Sequence, residues 1–331
     1  MGFLKKYIFL LLKLLLVVGV FLLLTHNSQF KPDLLMQFFS HPFFLAGVVT
    51  IFMLQITLGS WRWYLLNSDQ RVNLDFSSTF VSTYIGAAFN NILPGAVGGD
   101  FVRWFYLLKK IPDKKSAVLF SLFLDRVLGF IGVFVTVAFI FTSRMHSLTP
   151  DPKLYYPFLL FSLLCVAVLV TFFIMIALSG KIQLSEYLMR RFPDRKWAKY
   201  TASLFNALKT YHISKSSIAK CILISVAIQI IMGMTIKLIA EMMGFSGISL
   251  TDYIIAASLT QIVNLIPATP GGIGIGEMAF ANILILLNPG INAAYATVYF
   301  AFRLIGTLAY LPGVVLFIPR LLAMRQSRAA A

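Results

Sequence analysis

Apolar runs long enough to cross a hydrocarbon layer about 30 Å thick recur along the whole of this 331-residue chain. Full-length spans are expected at 7–24, 43–66, 116–142, 155–179, 218–243 and 293–318. Inside such a layer no water bonds an exposed amide, so the backbone has to satisfy itself as helix. The expected fold is therefore an all-α polytopic membrane protein. Hydrophobic residues make up 59% of the chain and charged residues 12%, and the longest clearly polar stretch is Lys181 to Ser217. That leaves no room for a soluble catalytic domain.

Other functions are excluded by the residues present. A net charge of +16 would suggest nucleic acid in a soluble protein. Here the positives flank apolar segments, which points to cytoplasmic loops and anionic headgroups instead. Cys165 and Cys221 have neither metal spacing nor a disulfide framework, and the four histidines are far apart. No metal and no cofactor is expected. The run Gly271-Gly272-Ile-Gly274-Ile-Gly276 lacks the Lys-Ser/Thr of a phosphate loop and the preceding strand of a dinucleotide site. Met1 to Leu24 carries lysines and then leucines but no small-x-small cleavage site, so it reads as a retained first helix.

Two stretches are not simple spans. Ser77–Leu93 is polar for a membrane helix and is followed, after a break, by the short piece Phe101–Leu108. Thr251–Ile266 and Met278–Leu287 have the same shape. The breaks read Asn91-Ile-Leu-Pro94-Gly95-Ala-Val-Gly98-Gly99-Asp100 and Asn264-Leu-Ile-Pro267-Ala-Thr-Pro270-Gly271-Gly272-Ile-Gly274-Ile-Gly276-Glu277. Proline removes a backbone donor and glycine accepts positive φ, so each stretch is expected to be a re-entrant hairpin with a broken tip at membrane depth.

Charges repeat with these breaks. Asp100 and Arg126 are 26 residues apart, as are Glu277 and Arg303. An offset of 177 relates Asp100 to Glu277, Arg126 to Arg303 and Gly129 to Gly306, whereas Asn91 and Asn264 differ by 173. An ionisable group at the bilayer centre costs about 2.5–3.5 kcal/mol on insertion scales, so a repeated set of them is a functional hypothesis.

Lysine and arginine in the short loops orient the chain. Lys5 and Lys6 put the N-terminus inside, Lys109, Lys110, Lys114 and Lys115 return the first hairpin to the cytoplasm, and Arg320, Arg325 and Arg328 keep the C-terminus there. The second hairpin has no flanking lysine or arginine and enters from outside. Span, hairpin and span thus occur as 43–142 and again, inverted, as 218–318. The 7–24 helix is extra and the 155–179 helix connects the two. The basic 181–217 loop stays cytoplasmic, either as an interfacial helix on anionic lipid or as a plain linker. Inverted repeats with broken helices are a recurrent transporter architecture.

Helix N-termini at the breaks favour an anion such as a lipid phosphate, and they also favour Asp100 and Glu277 themselves as caps. A helix is expected to start at each acid. Asn90, Asn91 and Asn264 can bond backbone groups freed by the breaks. Arg126 and Arg303 need carboxylate partners, and arginine offers a fork for phosphate. Arg103 shares a helix face with Asp100. Asp125 points about 100° away from Arg126 and serves another partner. Lys237 and Glu241 form an i,i+4 pair, and Arg62 reads as an interfacial anchor.

The blocks at 91–103, Asp125-Arg126-Val-Leu-Gly129 and Pro270-Gly-Gly-Ile-Gly-x-Gly-Glu277 resemble the lysylphosphatidylglycerol synthase transmembrane region, or flippase-like, family, with the likeness extending over essentially the whole chain. That resemblance implies translocation of a lipid or lipid-linked headgroup across a bacterial or archaeal inner membrane. In the namesake proteins a soluble aminoacyl-transferase domain follows. The sequence ends at Ala331 without one, and the synthase activity is not expected to carry over.

The expected function is a lipid flippase moving a phospholipid, an aminoacyl-lipid or a lipid-linked glycan or isoprenoid. Its headgroup would lie near Asp100, Arg103, Arg126, Glu277 and Arg303, with lipid as both substrate and surroundings. Two other readings are open: a transporter of a small anionic solute, and a lipid-modifying enzyme or its accessory subunit. A second copy of the chain and a lipid-synthesis enzyme are both open as protein partners.

Overall fold

The computed structural model describes residues 16–92, 98–108, 110–111, 114–148, 214–265, 269–291 and 293–318, with a few isolated positions between 160 and 192. At 91, 92, 116, 143–148 and 270 it describes the backbone alone. Most of the expected 155–179 span and 181–217 loop lies outside the described residues, as do Pro94, Gly95 and Pro267.

Every regular element among the described residues is helical. α1 (Leu16–His26) leads through a turn into α2 (Pro32–Phe39) and α3 (Pro42–Asp69). Proline opens both α2 and α3, where its missing N–H costs no helical bond. Next come α4 (Phe76–Ile92), α5 (Gly98–Leu107) and α6 (Lys115–Leu148). Beyond the undescribed stretch lie α7 (Lys215–Met242), α8 (Leu250–Val263), a 3₁₀ turn at Pro270–Gly272, α9 (Ile275–Leu287) and α10 (Tyr295–Tyr310).

Four of these helices are long and apolar enough to cross a membrane: Pro42–Asp69, Ala117–Thr142, Lys215–Met242 and Tyr295–Ile318. At 1.5 Å per residue, the 28 residues of α3 span about 42 Å, more than the hydrocarbon thickness. They match four expected spans to within a few residues. Polar side chains on these helices bond back to their own turns, as Thr57 does to Met53 O (2.7 Å) and Ser60 to Ile56 O (2.7 Å), which hides the hydroxyls from lipid.

The chain divides into two compact units. The first holds Met1–Trp61, Asp75–Lys110 and Ala227–Ala331; the second holds Arg62–Leu74 and Ile111–Val226. Helices α3 and α7 contribute residues to both.

In the first unit α4 and α5 fold back on one another, and so do α8 and α9. Both expected helix-break-helix segments are thus present, at 76–107 and 250–287. Helix α10 packs on α9, α4 and α2, and α4 also meets the 3₁₀ turn, while the main apolar core forms around α1–α3 and α7–α10. Buried Phe52, Tyr253, Phe280, Tyr299 and Phe302 fill it. Small residues let the backbones close. A Cβ on Gly233 would fall 2.3 Å from Ile254, and one on Gly313 would fall 2.8 Å from Tyr84 O.

In the second unit Leu66, Leu124, Leu128, Ile131, Ile218 and Cys221 form the apolar core. Gly132 of α6 lies so near Ser225 of α7 that a Cβ would come within 2.2 Å of the serine Cβ.

Candidate functional site

The break at 269–274 is shaped by three glycines with left-handed backbone, Gly271 (φ 60°), Gly272 (φ 74°) and Gly274 (φ 85°). L-residues with side chains rarely adopt such angles, so the chain reverses here on glycine and enters α9 at Ile275. Glu277 is the third residue of α9 and Asp100 the third of α5. The expectation that each helix starts at its acid is therefore off by two residues. From the third position a carboxylate reaches back over the first turn, where unbonded N–H groups and the positive dipole end gather.

Glu277 has no solvent exposure. Its Oε2 accepts the Gly274 N–H at 2.6 Å, and its Oε1 accepts Nη1 of Arg303 at 3.1 Å. The same Nη1 donates to Gly272 O at 2.9 Å, and Nη2 donates to Gly271 O. Arg303, carried on α10, thus closes the break with its guanidinium, satisfying two carbonyls and one carboxylate together. Its side chain retains 19% exposure. Of five guanidinium N–H groups, three cover these acceptors, leaving two without an acceptor among the described residues.

Asn264 caps the end of α8 and gives its Nδ2 to the Tyr299 hydroxyl at 3.3 Å. Its Oδ1 lies where a Cβ on Gly272 (2.4 Å) or Gly276 (2.7 Å) would stand, which is why both positions are glycine. Tyr299 stacks on Phe280 with ring centroids 4.8 Å apart. The Thr269 hydroxyl and Asn264 Oδ1 are buried without hydrogen-bond partners among the described residues.

The first broken segment has related chemistry with different partners. Asp100 and Arg103, both buried, approach at 3.4 Å, one turn apart on α5. Arg103 Nη2 donates to Thr83 Oγ1 of α4 at 3.0 Å, and its stem crosses Gly86, where a Cβ would fall 2.3 Å from Arg103 Cγ. The Gly99 N–H donates to Asn90 Oδ1 at 3.0 Å. A Cβ on Gly99 would strike that same amide at 2.6 Å, as one on Gly276 would strike Asn264. Asn90 thus lies against Gly99 as Asn264 lies against Gly276, and Asn90 Oδ1 in addition accepts the glycine N–H. The side chain of Asn91 lies outside the described residues.

The 26-residue pairing holds for Glu277 and Arg303, and within the first segment Asp100 bonds to Arg103. Arg126 belongs to the second unit and is half-buried on α6. Within that unit Asp125 finds its partner in Arg62, Nε to Oδ1 at 2.7 Å, and Arg62 Nη1 donates to Ser225 at 2.8 Å. With side-chain exposures of 13% and 7% this is a buried ion pair. Arg62 is accordingly no interfacial anchor: its neighbour Trp61 is half exposed, but the guanidinium turns inward. Gly129 leaves space for it, since a Cβ there would lie 3.3 Å from Nη1. The unmatched acid at 125 and the unmatched arginine at 62 were the only signal in the sequence. Thr83 had none. Lys237 and Glu241 pair at 3.6 Å with both side chains substantially exposed.

The chain is similar to a UPF0104 membrane protein of Pyrococcus horikoshii, 24% identical over 149 residues, which is 43% of this chain and 43% of that protein. The matched part thus spans less than half of the relative's length. No solved structure matches. The sequence matches the family described as "Lysylphosphatidylglycerol synthase TM region" over residues 10–313. With most of its length covered, and with multiple apolar helices long enough to cross a membrane, the chain belongs to the lysylphosphatidylglycerol synthase transmembrane region family of multi-pass membrane proteins.

Proposed function

We propose that this protein is a lipid translocase of a bacterial or archaeal inner membrane, moving a lipid-linked phosphate headgroup by alternating access. The observation that carries the reading is the pair of acid–arginine contacts at the first turns of α5 and α9, in two broken segments within one compact unit. In a membrane each such charge must be offset by a partner or a ligand.

On this reading the two broken segments are re-entrant hairpins of an inverted repeat, with both chain termini in the cytoplasm. The headgroup phosphate meets the helix N-termini and the two guanidinium N–H groups of Arg303 that have no acceptor among the described residues. Asp100, Arg103, Asn264 and Glu277 complete the polar surroundings, and the acyl chains stay in the bilayer.

The test is translocation in proteoliposomes carrying phospholipids with labelled headgroups. Faster loss of asymmetry than in protein-free vesicles is expected, together with a reduction of tenfold or more, about 1.4 kcal/mol in activation free energy, for Arg303→Ala. Uptake of a small soluble anion without lipid movement would replace this reading with the solute-transporter one. A chemically altered lipid species would point to an enzyme.

A further inference from the structure

Gln229 lies midway along the 28 residues of α7, a helix long and apolar enough to cross a membrane. Hydrocarbon offers an amide no partner at that depth, and Gln229, 5% exposed, faces α8 instead. Its Oε1 accepts Gln261 Nε2 at 2.8 Å and Ser258 Oγ at 3.3 Å. Gln261 Nε2 also lies 3.2 Å from Met232 Sδ. Bonds of this kind hold membrane helices together. A side-chain amide carries two N–H donors and a two-lone-pair acceptor, however, and these bonds use neither Nε2 of Gln229 nor Oε1 of Gln261.

The amide pair adjoins the second break. Gln261 shares a face of α8 with Asn264, one turn on and about 4.5 Å along the axis. Asn264 Oδ1 and Arg303 Nη1 are neighbours, lying 2.7 and 3.1 Å from the point where a Cβ on Gly276 would stand. Asn264 Oδ1 and the hydroxyl of Thr269, itself 2% exposed, are buried without hydrogen-bond partners among the described residues. Buried polar atoms ordinarily have partners, so a ligand that donates hydrogen bonds would complete this set.

Charge narrows the choice of ligand. Each oxygen of Glu277 already accepts an N–H, and its charge is balanced by Arg303. The set therefore offers a phosphate the Arg303 guanidinium but offers an ammonium group no surplus negative charge. Neutral amides and a hydroxyl suit hydroxyl groups, which both donate and accept.

We infer that Gln229, Gln261 and Asn264 form a polyol subsite beside Arg303, so that the ligand of the second segment is a phosphate bearing a neutral polyol, glycerol or sugar, rather than an ammonium group. Its use in transport rests on the translocase reading.

Two measurements on the full chain separate these claims. In detergent, glycerol 1-phosphate or glucose 1-phosphate is expected to raise the melting temperature more than phosphoethanolamine does. The better of the two distinguishes a glycerophospholipid from a glycolipid source. Gln229→Leu combined with Gln261→Leu, which leaves neither amide stranded on the other, is expected to abolish the difference. An equal shift with phosphoethanolamine, or a difference that survives in the double variant, overturns the subsite.

In proteoliposomes, the lipid bearing the better-bound headgroup is followed by periodate oxidation of its outer-leaflet diol. Phosphatidylethanolamine is followed by an impermeant amine reagent. The polyol lipid is expected to move several-fold faster, and the double variant to bring the two rates together. A purely structural role for the glutamines would slow both lipids alike, keep their ratio and overturn the subsite. Equal rates in the unaltered chain overturn it as well and leave the translocase reading standing. Glutamine-dependent binding of a polyol phosphate with no movement of any lipid keeps the subsite and overturns the translocase.

Discussion

Arg303 donates from one nitrogen, Nη1, to both the Glu277 carboxylate at 3.1 Å and the Gly272 carbonyl at 2.9 Å, so a single side chain holds the break and the acid together. Glu277 in turn bonds the Gly274 N–H. Capping the helix and pairing with arginine, weighed in the sequence as rival roles, are performed by the same carboxylate. The shared arrangement means that the stability of the break and any contact of Arg303 with a ligand are coupled.

Removing one member of this pair strands the other. Arg303→Ala should lower the unfolding free energy of the solubilised protein by about 3–5 kcal/mol, because Glu277 keeps a buried charge without its partner. Glu277→Gln combined with Arg303→Met should recover much of that loss. Denaturation of the two single variants and the double variant measures this, and strictly additive losses would show that the residues do not interact.

The Arg62–Asp125 pair is predicted to behave in the same way inside the second unit. Asp125→Ala should destabilise by about 3–5 kcal/mol, because the buried Arg62 guanidinium loses its carboxylate. The exchange Arg62→Asp with Asp125→Arg should be less damaging than either half. Equal losses for the exchange and for its halves would mean that geometry rather than charge governs the site.

Glycines sort into two groups by what a methyl would meet. Gly86→Ala and Gly276→Ala drive a Cβ to 2.3 Å from Arg103 Cγ and 2.7 Å from Asn264 Oδ1, and each should cost about 1–3 kcal/mol by overpacking. Gly47→Ala and Gly59→Ala meet nothing within 4 Å on α3 and should be neutral or stabilising by up to about 1 kcal/mol. Melting temperatures of the four variants test the sorting.

At the open end of the first hairpin Lys110 Nζ donates to Ser78 Oγ at 2.6 Å and Ser78 Oγ donates to Asp75 at 2.5 Å. Hydrogen bonds from the Ser78 side chain, then from its backbone N–H, hold the exposed Asp75 carboxyl below its usual value. A depressed folded pKa adds stability above the unfolded value, about 3.9, that is lost as pH falls through the folded one. The staple should therefore persist at neutral pH and loosen only in acid. Asp75→Asn should remove that acid dependence, as followed by amide exchange of the first turn of α4, and an identical acid response in the variant would overturn this account.

Four of the long spans and both broken segments were legible in the sequence because hydrophobic run length, proline and glycine act locally, within the helix that carries them. The pairing of Glu277 with Arg303 was legible too, since a buried arginine needs a carboxylate and few were available. Partners chosen across space were not. Arg62 turned inward to Asp125, a contact 63 positions away that no period announces.

The sequence by itself determined that this chain is a helical membrane protein with two glycine-broken segments bearing ionisable groups, because the cost of unbonded amides and charges in hydrocarbon admits little else. Only the tertiary structure decided that Arg62 turns inward to Asp125, that Thr83 receives Arg103, and that α1 lies against Gly274. Those choices depend on which helix faces meet and on where a missing Cβ lets two backbones approach, and neither is written in the order of the residues.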